Sequence, residues 1–237
     1  MAREWGLELG PPFALGRYSF VAPAGEDAVL KVTPPEDDEA DEEGDALALW
    51  DGDGAVRLLQ RDARRRALLL ERARPGGDAS ALGEEEATAI AVSVGLRLWR
   101  PAAAPFRWIG DHVPRWLDAT ETEGHELVPL ARELYASLDV GRATLVHGDL
   151  HHHNLLDVGG RHVAIDPKPM LGEPEFDVPS FLWNPLPYTM RLDVTERRLA
   201  AFAAAGLDQE RMRMWAVIRG AYLGADAGEC EVLRGLL

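Results

Sequence analysis

A single cysteine, Cys230, in 237 residues leaves no partner for an internal disulfide and no multi-cysteine zinc site. No apolar run approaches the roughly 18 residues a membrane-crossing helix needs, so no membrane partner is expected. The opening MAREWGLELGPPF lacks the basic segment and apolar core of a signal peptide, and the cytoplasm is the expected compartment. Positive charge is also short: 25 Lys and Arg against 40 Asp and Glu give a formal net charge of −15. That balance disfavours a surface built for nucleic-acid phosphates. It favours a cationic small partner at long range, with plain solubility as the ordinary alternative.

What is present divides into a strand-rich first part and a helical second part. PFALGRYSFVAPA and DAVLKVTPP read as extended segments, the second closed by Pro34 and Pro35. EDDEADEEGD is a solvated acidic run. EEGDALALW is a short helix with Leu47 and Trp50 on one face, and AVRLLQRD and RALLLERA are two more strands. RPGGDAS breaks the pattern, so residues 1–74 and 75–237 are expected to form separate lobes. GEEEATAIAVSVGLRLW and HELVPLARELYASL then carry apolar residues at helix-face spacing, with Pro129 in a first turn that tolerates it. From TERRLAAFAAAG to the end two further helices are expected, the first N-capped by Thr195.

Between these helices lies LVHGDLHHHNLLDVGGRHVAIDPK, Leu145 to Lys168. TLVHGD is a short strand ending at His147 and Asp149. NLLDV and RHVAID are strands joined by a two-glycine turn, and pairing Val158 with Arg161 sets Asn154 opposite Ile165. Asn154 and Asp166 then share the open end, where a magnesium ion could bridge strands about 5 Å apart. Asp149 is placed to accept a hydroxyl proton beside such an ion. The spacing His-x-Asp-Leu-x-x-x-Asn is that of a kinase catalytic loop, with the following aspartate in the metal position. The rival is a metal bound by the three consecutive histidines. Neighbouring loop histidines diverge and no helical pair completes a site, so this reading is weak. His147 reads as a structural hydrogen-bonding residue, and His151, His152 and His153 as residues lining or flanking a cleft.

Phosphoryl transfer from a nucleotide also needs a strand lysine and a helix glutamate. Lys31 in AVLKV fits, against the alternative of an edge lysine pointing to water. Its partner is Glu43, with Glu39, Glu42 and Asp45 as neighbours that could substitute. Gly16 and Gly25 do not form a G-x-G-x-x-G loop, but backbone amides from Arg17 to Phe20 or the Ser19 hydroxyl could hold phosphates. Backbone groups of Glu71 and Ala73 are positioned to meet an adenine edge.

VHGDLHHHNLL and AIDPKPMLGEPEFDVPSFLWNP resemble the catalytic loop and metal segment of the aminoglycoside phosphotransferase family. The Asp-Pro-Lys form with GEPEFDV is most similar to its streptomycin 6-phosphotransferase and hydroxyurea phosphotransferase branch. AVLKV, LLLERA and MWAVIRGAYLGA match that branch in order. The resemblance implies an α+β, two-lobed protein-kinase-like fold, with a small antiparallel-sheet lobe before a larger, mostly helical one. It implies ATP and magnesium as cofactors, Asp149 as catalytic base, and Asn154 and Asp166 as metal ligands. Lys31 would meet the nucleotide phosphates, paired with Glu43. Asp177 would be a structural support, and Lys168 either approaches a phosphate or forms an ion pair that stabilises the fold. The implied substrate is a small-molecule hydroxyl, a streptomycin-like aminoglycoside or hydroxyurea. A metabolic sugar or amino-alcohol kinase is one alternative. A nucleotide-binding regulator without transfer activity is the other.

Overall fold

The computed structural model describes residues 1–13, 19–38, 41–121, 124–141, 143–185 and 190–237. Its first half is an antiparallel sheet of β1 (Phe20–Ala24), β2 (Ala28–Val32), β3 (Leu58–Asp62) and β4 (Ala67–Glu71), in the order β1-β2-β4-β3. One helix, α1 (Glu43–Trp50), joins β2 to β3. Period-two alternation sends Leu30 to one face of β2 and Lys31 to the other, and both are buried. β2 lies between β1 and β4, which rules out the edge position that would let Lys31 point to water. Leu47 and Trp50 of α1 are buried together, as their spacing predicts.

The second half is mostly helical: α2 (Glu84–Leu98), α3 (Ile109–Glu121), α4 (Val128–Ser137), α5 (Val178–Leu182), α6 (Leu192–Ala204), α7 (Gln209–Leu223) and α8 (Ala227–Gly235). α7 is the centre of this half, with α3, α4, α5, α6 and α8 packed on it. Its Trp215, Val217 and Ile218 are fully buried, each side chain contributing roughly 1.5–3 kcal/mol of hydrophobic stabilisation. Arg198 of α6 is also buried, and its guanidinium is filled by Glu84 and the carbonyls of Phe181, Leu182 and Asn184. That clamp fixes α6 to the first turn of α2 and the end of α5.

Several elements differ from the sequence expectations. Three helices, not two, follow residue 190, because Gly206 and Gly224, both at positive φ, break the run twice. Thr195 does not cap α6: the Thr195 N–H already donates to the Arg191 carbonyl inside the helix, and its side chain is buried. α3 was not anticipated, and Pro114 lies inside it. A four-stranded sheet of two- and three-residue strands was also unforeseen: β5 (Arg100–Pro101), β6 (Arg107–Trp108), β7 (Thr144–Val146) and β10 (Met170–Gly172), ordered β5-β7-β10-β6. The acidic run is not simply solvated. Asp41 pairs with Arg66, Glu42 with Arg107 and Asp37 with Lys168.

The two-glycine hairpin forms in the expected register. β8 (Leu155–Asp157) pairs with β9 (His162–Ala164), Val158 N–H donates to Arg161, and Ile165 N–H donates to the Asn154 carbonyl. This hairpin joins the two halves. Ala55 bridges Ala164, and the connection after β4 reaches β8 through the Gly76 N–H to Asp157 and the Asp157 N–H to Gly77.

Candidate active site

The catalytic-loop segment is held from beneath by Asp177, whose carboxylate is fully buried. It accepts from the His147 N–H at 2.8 Å, the Gly148 N–H at 2.6 Å and the Trp99 indole at 2.8 Å. Burial pushes its carboxyl up, and these donors with His147 work against that shift. His147 is a buried strut: Nδ1 accepts from the Asp149 N–H, and Nε2 meets the Ile165 carbonyl at 3.0 Å. Nδ1 as acceptor puts the neutral ring's proton on Nε2, which therefore donates to Ile165. Trp50 stacks near the His147 ring and donates to the Leu98 carbonyl, so α1, α2 and the loop meet there. Gly148 has φ +83°, and a Cβ on it would stand 2.0 Å from the Lys168 carbonyl oxygen. Only glycine fits.

Asp149 emerges from this frame with its side chain 32% exposed. Arg219 of α7 reaches Oδ1 at 3.4 Å, and His151 Nε2 stands 3.4 Å from Oδ2. Burial alone would raise the Asp149 carboxyl, but His151 and then Arg219 outweigh it and hold the group well below the usual carboxylate range. The Asp149 carboxylate is thus ionised, with only long contacts on its oxygens. Asn154 donates its amide nitrogen to the Asp149 carbonyl at 2.9 Å, which leaves Oδ1 as the atom it can offer a cation.

Asp166 follows β9 with φ +54°, a left-handed conformation that costs roughly 1–2 kcal/mol in an L-residue. Strain of this kind is concentrated at functional positions. Its carboxylate lies 2.5 Å from Lys31 Nζ, and the same ammonium meets Glu43 at 2.7 and 2.8 Å. Burial opposes the charge on Lys31, but the two carboxylates hold its pKa well above the ordinary lysine value. Burial likewise pushes Asp166 up, and Lys31 with Lys168 overcomes it, so the carboxyl is held below its usual range. Glu43, not Glu42 or Asp45, is the residue against Lys31; Glu42 and Asp45 pair with Arg107 and Arg61. Glu39 lies outside the described residues.

Two of the remaining nucleotide candidates, Ser19 and Glu71, engage other partners. The Ser19 hydroxyl bonds Thr33 at 3.1 Å, just before β1, while Gly16, Arg17 and Tyr18 lie outside the described residues. The Glu71 N–H donates to the Arg57 carbonyl, so Glu71 can offer a ligand only its carbonyl, not both backbone groups. Ala73 sits two residues beyond, in the connection after β4.

Oxygen donors from Asn154 and Asp166 suit magnesium, which keeps waters and takes other ligands from phosphates. Among the described residues no group of three or more His, Cys, Asp or Glu is placed to hold a metal, so the histidine alternative finds no support. The triplet is nevertheless not mere cleft lining. His151 faces Asp149, His152 is buried and stacked on Phe181 at 3.9 Å, and His153 meets Asp78 at 3.0 Å. Sequence reasoning missed Arg219, although an arginine amid the apolar MWAVIRGAYLGA was a signal.

Comparison with known proteins bears on the family and the fold. The family described as aminoglycoside/hydroxyurea antibiotic resistance kinase matches residues 16–229. The hydroxyurea phosphotransferase of Kitasatospora aureofaciens is 34% identical over 241 residues, covering 91% of this chain and 68% of that protein. The streptomycin 3''-kinase of Klebsiella pneumoniae is 32% identical over 216 residues, covering 80% and 76%. A choline/ethanolamine kinase family protein from Mesorhizobium loti shares the fold, with a TM-score of 0.65 and 16% identity over 97% of this chain and 78% of that one.

Proposed function

The chain belongs to the aminoglycoside/hydroxyurea antibiotic resistance kinase family, and on that premise we propose that it transfers the γ-phosphoryl group of ATP to a small-molecule hydroxyl. The observation that carries this reading is the Lys31 bridge to both Glu43 and Asp166. It sets the phosphate-facing lysine beside the metal candidate on the hairpin that also carries Asn154.

Asp149 orients the acceptor hydroxyl and takes its proton as the oxygen bonds to phosphorus and the bond to ADP breaks. Its low basicity suits a transition state in which positioning and charge stabilisation dominate. His151 and Arg219 keep the carboxylate ionised, and Asp177 fixes the loop it stands on. Lys31 meets the nucleotide phosphates, oriented by Glu43. Asn154 and Asp166 would hold a magnesium ion, which when bound neutralises charge on the phosphates. The Ser19 hydroxyl, the Glu71 carbonyl and Ala73 are the remaining nucleotide contacts we assign.

Hydroxyurea and streptomycin-like aminoglycosides lead as acceptors, in keeping with the names of the relatives. The test is a panel with magnesium and ATP that includes both, together with sugars and amino alcohols, read by product mass. A phosphorylated hydroxyurea or streptomycin is expected. A phosphorylated sugar or amino alcohol alone would assign a metabolic kinase. ATP binding without any product would favour a nucleotide-binding regulator.

A further inference from the structure

Lysine is scarce in this chain. Of 25 Lys and Arg side chains only Lys31 and Lys168 are lysines; Lys31 contacts Asp166, and the charge of Lys168 acts on it too. The Lys168 backbone is fixed against the catalytic loop: its N–H donates to the His147 carbonyl at 2.8 Å, and its own carbonyl abuts Gly148. Its side chain is 22% exposed and meets Asp37 at 3.5 Å, a loose contact. Its charge also acts on Asp166 and, more weakly, on Glu43.

A latch to Asp37 would be made better by arginine. This chain uses bidentate arginine for such pairs, as between Arg61 and Asp45 at 2.6 and 2.9 Å. A compact ammonium with three rotatable donors suits a phosphate oxygen, which it meets as a point charge. We infer that Lys168 is a catalytic residue that leaves Asp37 when nucleotide binds and places its ammonium on the transferring γ-phosphoryl group. This rests on the phosphotransfer reading of the same site.

The test compares K168M, K168R and D37N with the wild-type chain by titration with magnesium-ATP and magnesium-ADP, and by turnover on whichever acceptor the panel identifies. K168M should lose about tenfold in ATP affinity, the worth of one charge-assisted hydrogen bond, with ADP affinity held within about twofold. Its kcat should fall, K168R should recover only part of the ATP preference, and D37N should keep both affinity and turnover. Equal losses in D37N and K168M would make Lys168 a latch and overturn the assignment. So would ATP and ADP affinities falling together, or K168R matching wild type if K168M does not fold. A wild-type chain that binds no ATP would refute the phosphotransfer reading itself, and this role with it.

Discussion

Lys31 and Asp166 come from opposite halves of the chain, yet their charged groups stand 2.5 Å apart. The same ammonium holds the buried Glu43. Removing it as Lys31→Met leaves Glu43 buried without its counter-ion, a change that costs about 3–5 kcal/mol. Glu43→Gln leaves the ammonium its pair with Asp166 and should cost less. Urea unfolding of the two variants measures the difference, and magnesium-ATP affinity should fall in both. A smaller stability loss for Lys31→Met than for Glu43→Gln would contradict the bridge.

Asp149→Asn should lower kcat by roughly 10²–10⁴, the usual worth of a positioned proton acceptor, while ATP affinity stays near wild type. Unchanged turnover would remove Asp149 from the role of base. Arg219→Gln takes one of the two cationic or donor contacts from the same carboxylate. It should reduce kcat by less, with KM for ATP unaltered.

Gly148→Ala places a methyl group where the Lys168 carbonyl already stands, on backbone at positive φ. The cost should exceed the roughly 1 kcal/mol of an ordinary left-handed alanine, because backbone must move. Thermal unfolding would show a lower midpoint, and turnover would fall with it. A variant as stable as wild type would mean that the loop and the Asp166–Lys168 segment are not packed this way.

Acid stability should depend on His152. Burial first, and then the charge of Arg198, push its pKa down to about 3 from the ordinary 6.5. The folded ring therefore stays neutral where the unfolded chain takes a proton. Its contribution is complete above pH 6.5 and is lost as pH falls towards 3, by up to about 1.4 kcal/mol per pH unit. His152→Phe keeps an aromatic ring on Phe181 and removes the titration. Urea midpoints against pH should fall less steeply for this variant, and parallel curves would refute the assignment.

The parts of the site that sequence could reveal are those set by local rules. The two-glycine turn fixed the register of β8 and β9, which placed Asn154 opposite Ile165 beside Asp166. Apolar neighbours made Lys31 unusual for a solvated lysine, but its central strand and burial came from the structure. Contacts between distant segments had no such signature: Arg219 meets Asp149 across 70 residues, and Asp37 meets Lys168 from the other half. The sheet of two- and three-residue strands is too short to show a period, and Pro114 disguises α3.

Of the three histidines after Leu150, His151 is the extended cap of a tight turn that His152 and His153 open, so their side chains diverge. One faces Asp149, one the core, and one the strap that ties the two halves. A run of identical letters is therefore three independent probes. Single changes at 151, 152 and 153 should report separately on chemistry, folding and the coupling between halves.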